Sequence, residues 1–164
     1  VLKYKFDIGE ICEFISNQSP ATKIYLGADS QRYRRNGTWY ADYTLAVVIH
    51  YEGRHGCKIF GDVQTELDYD QRKDRPSLRL MNEAIKLSAL YHQLETVLTN
   101  RQVKVELHLD LNAKKIHASN FVVEQAIGYI RGTCNIEAKI KPDAWAATYA
   151  ADRLKEILHW KTLV

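Results

Sequence analysis

Residues 23–30, KIYLGADS, and 103–111, VKVELHLDL, are two short runs apolar enough to be strands, yet each carries an aspartate at its far end. Aspartate is a poor strand former, so Asp29 and Asp110 need a reason beyond backbone preference. Side-chain alternation puts Asp29 on one face with Tyr25 and Gly27, and Asp110 on one face with Glu106 and His108. If the two strands are parallel neighbours, both carboxylates reach the carboxyl ends of one sheet, where open α/β sheets place their ligands. Two carboxylates that close repel unless a proton or a cation separates them. A hard divalent ion with oxygen ligands, magnesium or manganese, is the natural partner.

Outward from these runs, the chain reads as alternating elements. Residues 8–17 place Ile8, Ile11, Cys12 and Ile15 at helical spacing, which predicts a short leading helix closed by Ser19-Pro20. Residues 39–51, WYADYTLAVVIHY, are aromatic and β-branched and predict a second strand, joined to the first through QRYRRNG with its Asn36-Gly37 hairpin signal. A turn at Glu52-Gly53 and Gly56 leads to a third strand over 57–63, and QTELDYDQRKDRP (64–76) reads as a charged surface loop. A long helix is expected over 77–99, capped by Ser77, with Leu80, Ala84, Leu87, Tyr91, Leu94 and Leu98 as its apolar stripe. Ser119-Asn120 can cap a further helix over 121–131 that Gly132 ends, residues 136–140 form a fifth strand, and Pro142 opens a last helix to about residue 159. The expectation is an α/β fold: a five-stranded mixed sheet of three antiparallel strands, then alternating helix and strand, with helices packed on it.

Composition bounds the function. A chain of 164 residues with 46% hydrophobic and 26% charged residues suits one globular domain, with residues 1–20 as an N-terminal extension. The net charge of +3 is compatible with a nucleic-acid partner where the basic residues are grouped. Three widely spaced cysteines, Cys12, Cys57 and Cys134, exclude a disulfide framework and a zinc ribbon and point to a reducing, cytoplasmic setting. The longest apolar runs have the length of a strand, so no membrane span is expected, and VLKYKFDIGEICEF does not read as a secretory signal.

Glu83 lies three residues after Leu80 and four before Leu87, so it interrupts the apolar stripe of the long helix. A carboxylate on the sheet-facing side is costly unless it is paired or binds metal. The order of strand-Asp-Ser, helix-Glu, strand-Asp and a late helical Asp resembles the ribonuclease H superfamily. RLMNEAIKL (79–87) is similar to the helix bearing the catalytic glutamate of type 1 ribonucleases H, and YAADRLKEI (149–157) to the helix bearing their fourth acid. GADSQ (27–31), HLDLN (108–112), Ser119-Asn120 and KPDAWAATYAAD (141–152) resemble the YkuK-like family of predicted RNase H-like nucleases. The resemblance covers roughly residues 20–158. Lys141 is the only titratable basic residue in the short stretch between the fifth strand and the last helix, where type 1 enzymes often carry a histidine.

The resemblance implies a magnesium- or manganese-dependent nuclease with two ions, whose metal ligands and catalytic residues are Asp29, Glu83, Asp110 and Asp152. Asp143 is the alternative to Asp152; on one straight helix the two would point to opposite sides. Basic residues follow both strand-end acids, so Ser30, Arg32, Arg34 and Arg35, together with Asn112, Lys114 and Lys115, are the candidate contacts to a nucleic-acid substrate. His108 reads as a hydrogen-bonded sheet histidine with a proton shuttle as the alternative, and Trp145 and Tyr149 as core-packing residues. Three other functions stay open: a catalytically inactive module that binds nucleic acid or protein, a junction-resolving nuclease, and a metallohydrolase of a substrate other than nucleic acid.

Overall fold

Two long strands form the centre of the fold. β1 (Lys23–Arg35) and β2 (Thr38–His50) pair antiparallel over their full length, from Lys23↔His50 to Arg35↔Thr38. Asn36 (φ 49°) and Gly37 (φ 81°) take the left-handed conformations that a two-residue hairpin with the sheet's own twist requires. After a single 3-10 turn at Tyr51–Gly53, β3 (Cys57–Leu67) returns antiparallel along β2. β4 (Lys104–Leu109) lies parallel to β1 on its other side, which gives the order β3-β2-β1-β4. These statements come from a computed structural model, which describes residues 5–70, 77–111, 120–147, 152–154 and 156.

Three helices cover one face of this sheet: α1 (Ile8–Ser16), α2 (Ser77–Arg101) and α3 (Asn120–Cys134). Asp7 caps α1 by accepting from the Glu10 amide at 3.1 Å. Ile24, Leu26, Leu45, Val47, Leu107 and Leu109 of the strands meet Leu87, Leu90 and Leu94 of α2 and Val123, Ala126 and Ile130 of α3 in one continuous core. Each fully buried aliphatic side chain contributes about 1.5–3 kcal/mol of burial free energy, so this layer carries most of the stability. A smaller cluster occupies the opposite face, where Ala146 and Leu154 pack on Ala46 and Val48 of β2. The helical residues 145–147 and 152–154 therefore cover the side of the sheet that α1, α2 and α3 leave open.

Several boundaries differ from the sequence reading, each for a local reason. β1 and β3 run past residues 30 and 63 because the two hairpins continue to pair, so residues 64–67 belong to β3 rather than to a loop. Gly132 lies inside α3; the helix continues to Cys134 and Asn135 (φ 55°) takes the left-handed position after it. The fifth strand reduces to one parallel bridge, His108↔Lys139, held by Leu109 N–H to the Lys139 carbonyl at 2.9 Å and Lys139 N–H to the Leu107 carbonyl at 2.8 Å. The described sheet thus has four strands, because the chain turns at residues 141–143 before pairing can extend, with the Asp143 amide on the Ile140 carbonyl. Pro142 belongs to that turn and opens no helix; helical backbone begins at Trp145. No helix among the described residues is long and apolar enough to cross a membrane.

Candidate functional site

The parallel pairing of β1 with β4 sets the two strand-end acids side by side. Its last register pair is Ala28↔Leu109, so Asp29 and Asp110 are the next residues on neighbouring strands. The Asp110 amide donates to the Ala28 carbonyl at 3.2 Å. Asp29 is 8% exposed and the Asp110 side chain 17%, so both sit at the rim of the core rather than in open solvent. α2, packed on the other face of the sheet, brings in Glu83, which is 1% exposed. The Ser30 hydroxyl donates to Glu83 Oε1, while Glu83 Oε2 is buried with no hydrogen-bond partner among the described residues. Burial pushes the Glu83 carboxyl well above the usual carboxylate range; the Ser30 hydrogen bond opposes this, the charge on Asp29 adds to it, Arg79 opposes it and Asp110 adds again. Two acids that stand far from Glu83 in the sequence therefore act electrostatically on it.

A single ammonium group stands among them. Lys141 Nζ lies 2.5 Å from Asp110 Oδ1. That hydrogen bond raises the lysine pKa against the opposing effect of burial, and the charges of Asp110, Asp29 and Asp152 raise it further. Asp152 is thus within electrostatic reach of the group, on an exposed helical turn. Asp143 is exposed in the turn before the helical residues, so the two rivals for fourth acid do not share one straight helix as the sequence reading assumed.

His108 anchors the segment that carries Asp152. The ring is fully buried, with Nε2 2.9 Å from Glu106 Oε2 and Nδ1 accepting from the Ala146 amide at 3.1 Å. Tyr25 and Trp145 pack around it at ring separations of 5.5 and 5.7 Å. Burial lowers the His108 pKa, and Glu106 opposes that shift. These contacts make it a hydrogen-bonded sheet histidine. Tyr149 lies outside the described residues.

Four further residues hold α2 in place, and two of them come from the stretch that reads as a charged loop. The Asp70 carboxylate accepts from the Leu78 amide at 3.0 Å and the Arg79 amide at 2.8 Å, which satisfies donors the first turn of α2 would otherwise leave open. Asp68 accepts from the Asp70 amide at 3.0 Å and lies 2.6 Å from Arg32 Nε, and Arg32 also donates to the Asp70 carbonyl. Arg79 Nη1 donates to the Ser30 hydroxyl at 2.7 Å and the Ser30 carbonyl at 3.2 Å. A continuous path therefore runs from the hairpin through Asp68, Asp70 and Arg79 to Ser30 and Glu83. The sequence does carry a signal for it: in LDYD (67–70) the two aspartates alternate with the exposed Leu67 and Tyr69, the pattern of one buried face.

Of the candidate substrate contacts, Ser30 is engaged with Glu83 and Arg79, and Arg32 with Asp68, Asp70 and the Trp39 ring at 4.2 Å. Arg34 and Arg35 are exposed at the hairpin tip, Arg34 5.8 Å from the Trp39 ring centre. Asn112, Lys114 and Lys115 lie outside the described residues.

An all-oxygen donor set of carboxylates suits a hard divalent cation. Two observations fit such an ion: the buried Glu83 oxygen without a partner, and the positive charge the carboxylates draw from Lys141. The side chains as they stand do not form a finished ligand shell, since no three His, Cys, Asp or Glu among the described residues are grouped to hold a metal. No curated protein and no solved structure matches the chain. The sequence profile of the Ribonuclease H-like family, in contrast, matches residues 8–156. That match takes in both strand-end aspartates, the α2 glutamate and the C-terminal helical residues, and the chain belongs to the Ribonuclease H-like family.

Proposed function

We propose that this chain is a metal-dependent nuclease of the YkuK-like kind, hydrolysing phosphodiester bonds of nucleic acid in the cytoplasm. The observation that carries the reading is the placement of Asp29 and Asp110 just past the last pair of the parallel β1–β4 pairing, with the buried Glu83 feeling both charges. A module that only grips phosphates has no use for acids that repel them. Asp29, Glu83, Asp110 and Asp152 would hold two magnesium or manganese ions, with Asp143 as the alternative to Asp152. Ions bound there supply an activated water for in-line attack and neutralise charge on the leaving oxygen.

The remaining work falls to this chain's own groups. Ser30 holds the Glu83 carboxyl through its hydroxyl, and Arg79 fixes Ser30. Arg34 and Arg35, which follow Asp29 in sequence, and Asn112, Lys114 and Lys115, which follow Asp110, would contact a phosphate backbone. A non-cutting binding module is the second reading, and the Lys141–Asp110 ion pair favours it, because it already balances part of the acidic charge. Cleavage of labelled single-stranded, duplex, hybrid and branched substrates with magnesium or manganese separates the readings. The nuclease reading expects cleavage that Asp29→Asn abolishes, with preference for the branched substrate marking a junction-resolving enzyme. Cleavage that survives Asp29→Asn would overturn the assignment.

A further inference from the structure

We propose that Lys141 is a built-in competitor of the divalent ion: its ammonium occupies Asp110 until a metal displaces it, and a substrate phosphate then gives it a new partner. The inference rests on the metal-binding reading above and adds to it a coupling between metal and nucleic acid. Lys141 Nζ and a metal ion need the same oxygen, Asp110 Oδ1, which the lysine holds at 2.5 Å. Both are cations drawn by the same charges, because Asp29 and Asp152 act on Lys141 as well. A dication bound at that oxygen repels an ammonium held there at contact distance, so the two occupants oppose each other.

The geometry allows the exchange without disturbing the fold. The backbone of Lys141 is fixed beside the end of β4, its amide donating to the Leu111 carbonyl at 2.9 Å. Its side chain is 39% exposed, so the ammonium can leave Asp110 by rotation of a flexible four-carbon stem towards solvent. Leaving costs the ion pair, and this cost lowers the apparent metal affinity. A phosphate oxygen at the rim of the site returns a counter-charge to the released ammonium. Metal and phosphodiester should therefore each strengthen the binding of the other, as linkage requires.

The test is calorimetric titration of Mn²⁺ into the full chain, wild type against Lys141→Met, with Asp110→Asn identifying heat that comes from this site. The inference expects Lys141→Met to bind Mn²⁺ about tenfold more tightly, within the usual range of coupled sites. It also expects an oligonucleotide with a methylene replacing the bridging oxygen, which cannot be hydrolysed, to tighten Mn²⁺ binding more in the wild type than in Lys141→Met. Lys141→Gln, neutral and of similar reach, serves if the methionine variant does not fold. Equal or weaker Mn²⁺ binding by the neutral variants overturns the inference and leaves the metal site standing. No Mn²⁺ binding by any of the proteins overturns the metal reading itself, and this inference with it.

Discussion

One methyl group should have opposite effects at two glycines. Gly27 lies in the middle of β1, paired with Ala46 and His108, and its backbone is ordinary extended strand. Alanine there meets no backbone penalty, only neighbours: its Cβ would stand 2.7 Å from Ala146 C and Ala147 N and 2.8 Å from Ala146 O. Unstrained carbon contacts need about 3.5–4.0 Å, so the segment at 146–147 would have to retreat by roughly 1 Å. Overpacking of this kind costs about 1–3 kcal/mol. The retreat also strains the Ala146–His108 hydrogen bond, worth about 1 kcal/mol. Together Gly27→Ala should lose about 2–4 kcal/mol, which in a chain of this length lowers Tm by roughly 5–15 °C. Gly128 lies in α3, where an added Cβ meets nothing within 4 Å. Gly128→Ala should instead gain about 1 kcal/mol of helix propensity and raise Tm by roughly 2–4 °C. Thermal denaturation followed by circular dichroism reads both. A Gly27→Ala variant melting with the wild type would refute the close packing of the C-terminal segment on β1.

Two further predictions follow from α2. Asp70→Ala removes both acceptors from the first turn of the helix and should cost about 1–2 kcal/mol in urea denaturation, whereas Asp70→Asn, which keeps one acceptor, should cost less; equal stability of Asp70→Ala and wild type would refute the cap. Glu83 has a folded pKa raised above its unfolded value, mainly by burial. Its contribution is fully present below the unfolded carboxylate pKa and is lost as pH rises towards the folded pKa. In chelator-treated protein, Glu83→Gln should therefore gain stability relative to wild type as pH is raised from acid to neutral, and a difference independent of pH would contradict that burial.

What the sequence made legible was what depends on local pattern. The two aspartates stand out because aspartate is out of place after an apolar run; their strands pair in parallel as that reading expects, but β1 runs on to Arg35, so Asp29 lies within its strand rather than at its end. Glu83 stands out because it breaks an apolar stripe, and it is buried. What was not legible depends on partners distant in the chain. Polar QRYRR looks like a loop until it pairs with residues 38–42, where Arg32 and Arg34 lie over Trp39 and Tyr33 stacks on Tyr40. Asp68 and Asp70 look solvated until Arg32 and the α2 amides, on either side in sequence, close on them. The end of α3 was misplaced because glycine is the commonest left-handed residue, yet Asn135 takes that position here. The fifth strand fell to a single bridge because the turn at 141–143 follows too soon for a ladder.

The most direct test of the central claim is anomalous diffraction from crystals of the chain soaked in manganese. The account predicts a peak beside the last pair of the β1–β4 pairing, within about 2.0–2.6 Å of carboxylate oxygens of Asp29 and Asp110, with Lys141 moved off Asp110. Crystals at saturating manganese with no peak there, and Lys141 still on Asp110, would contradict it.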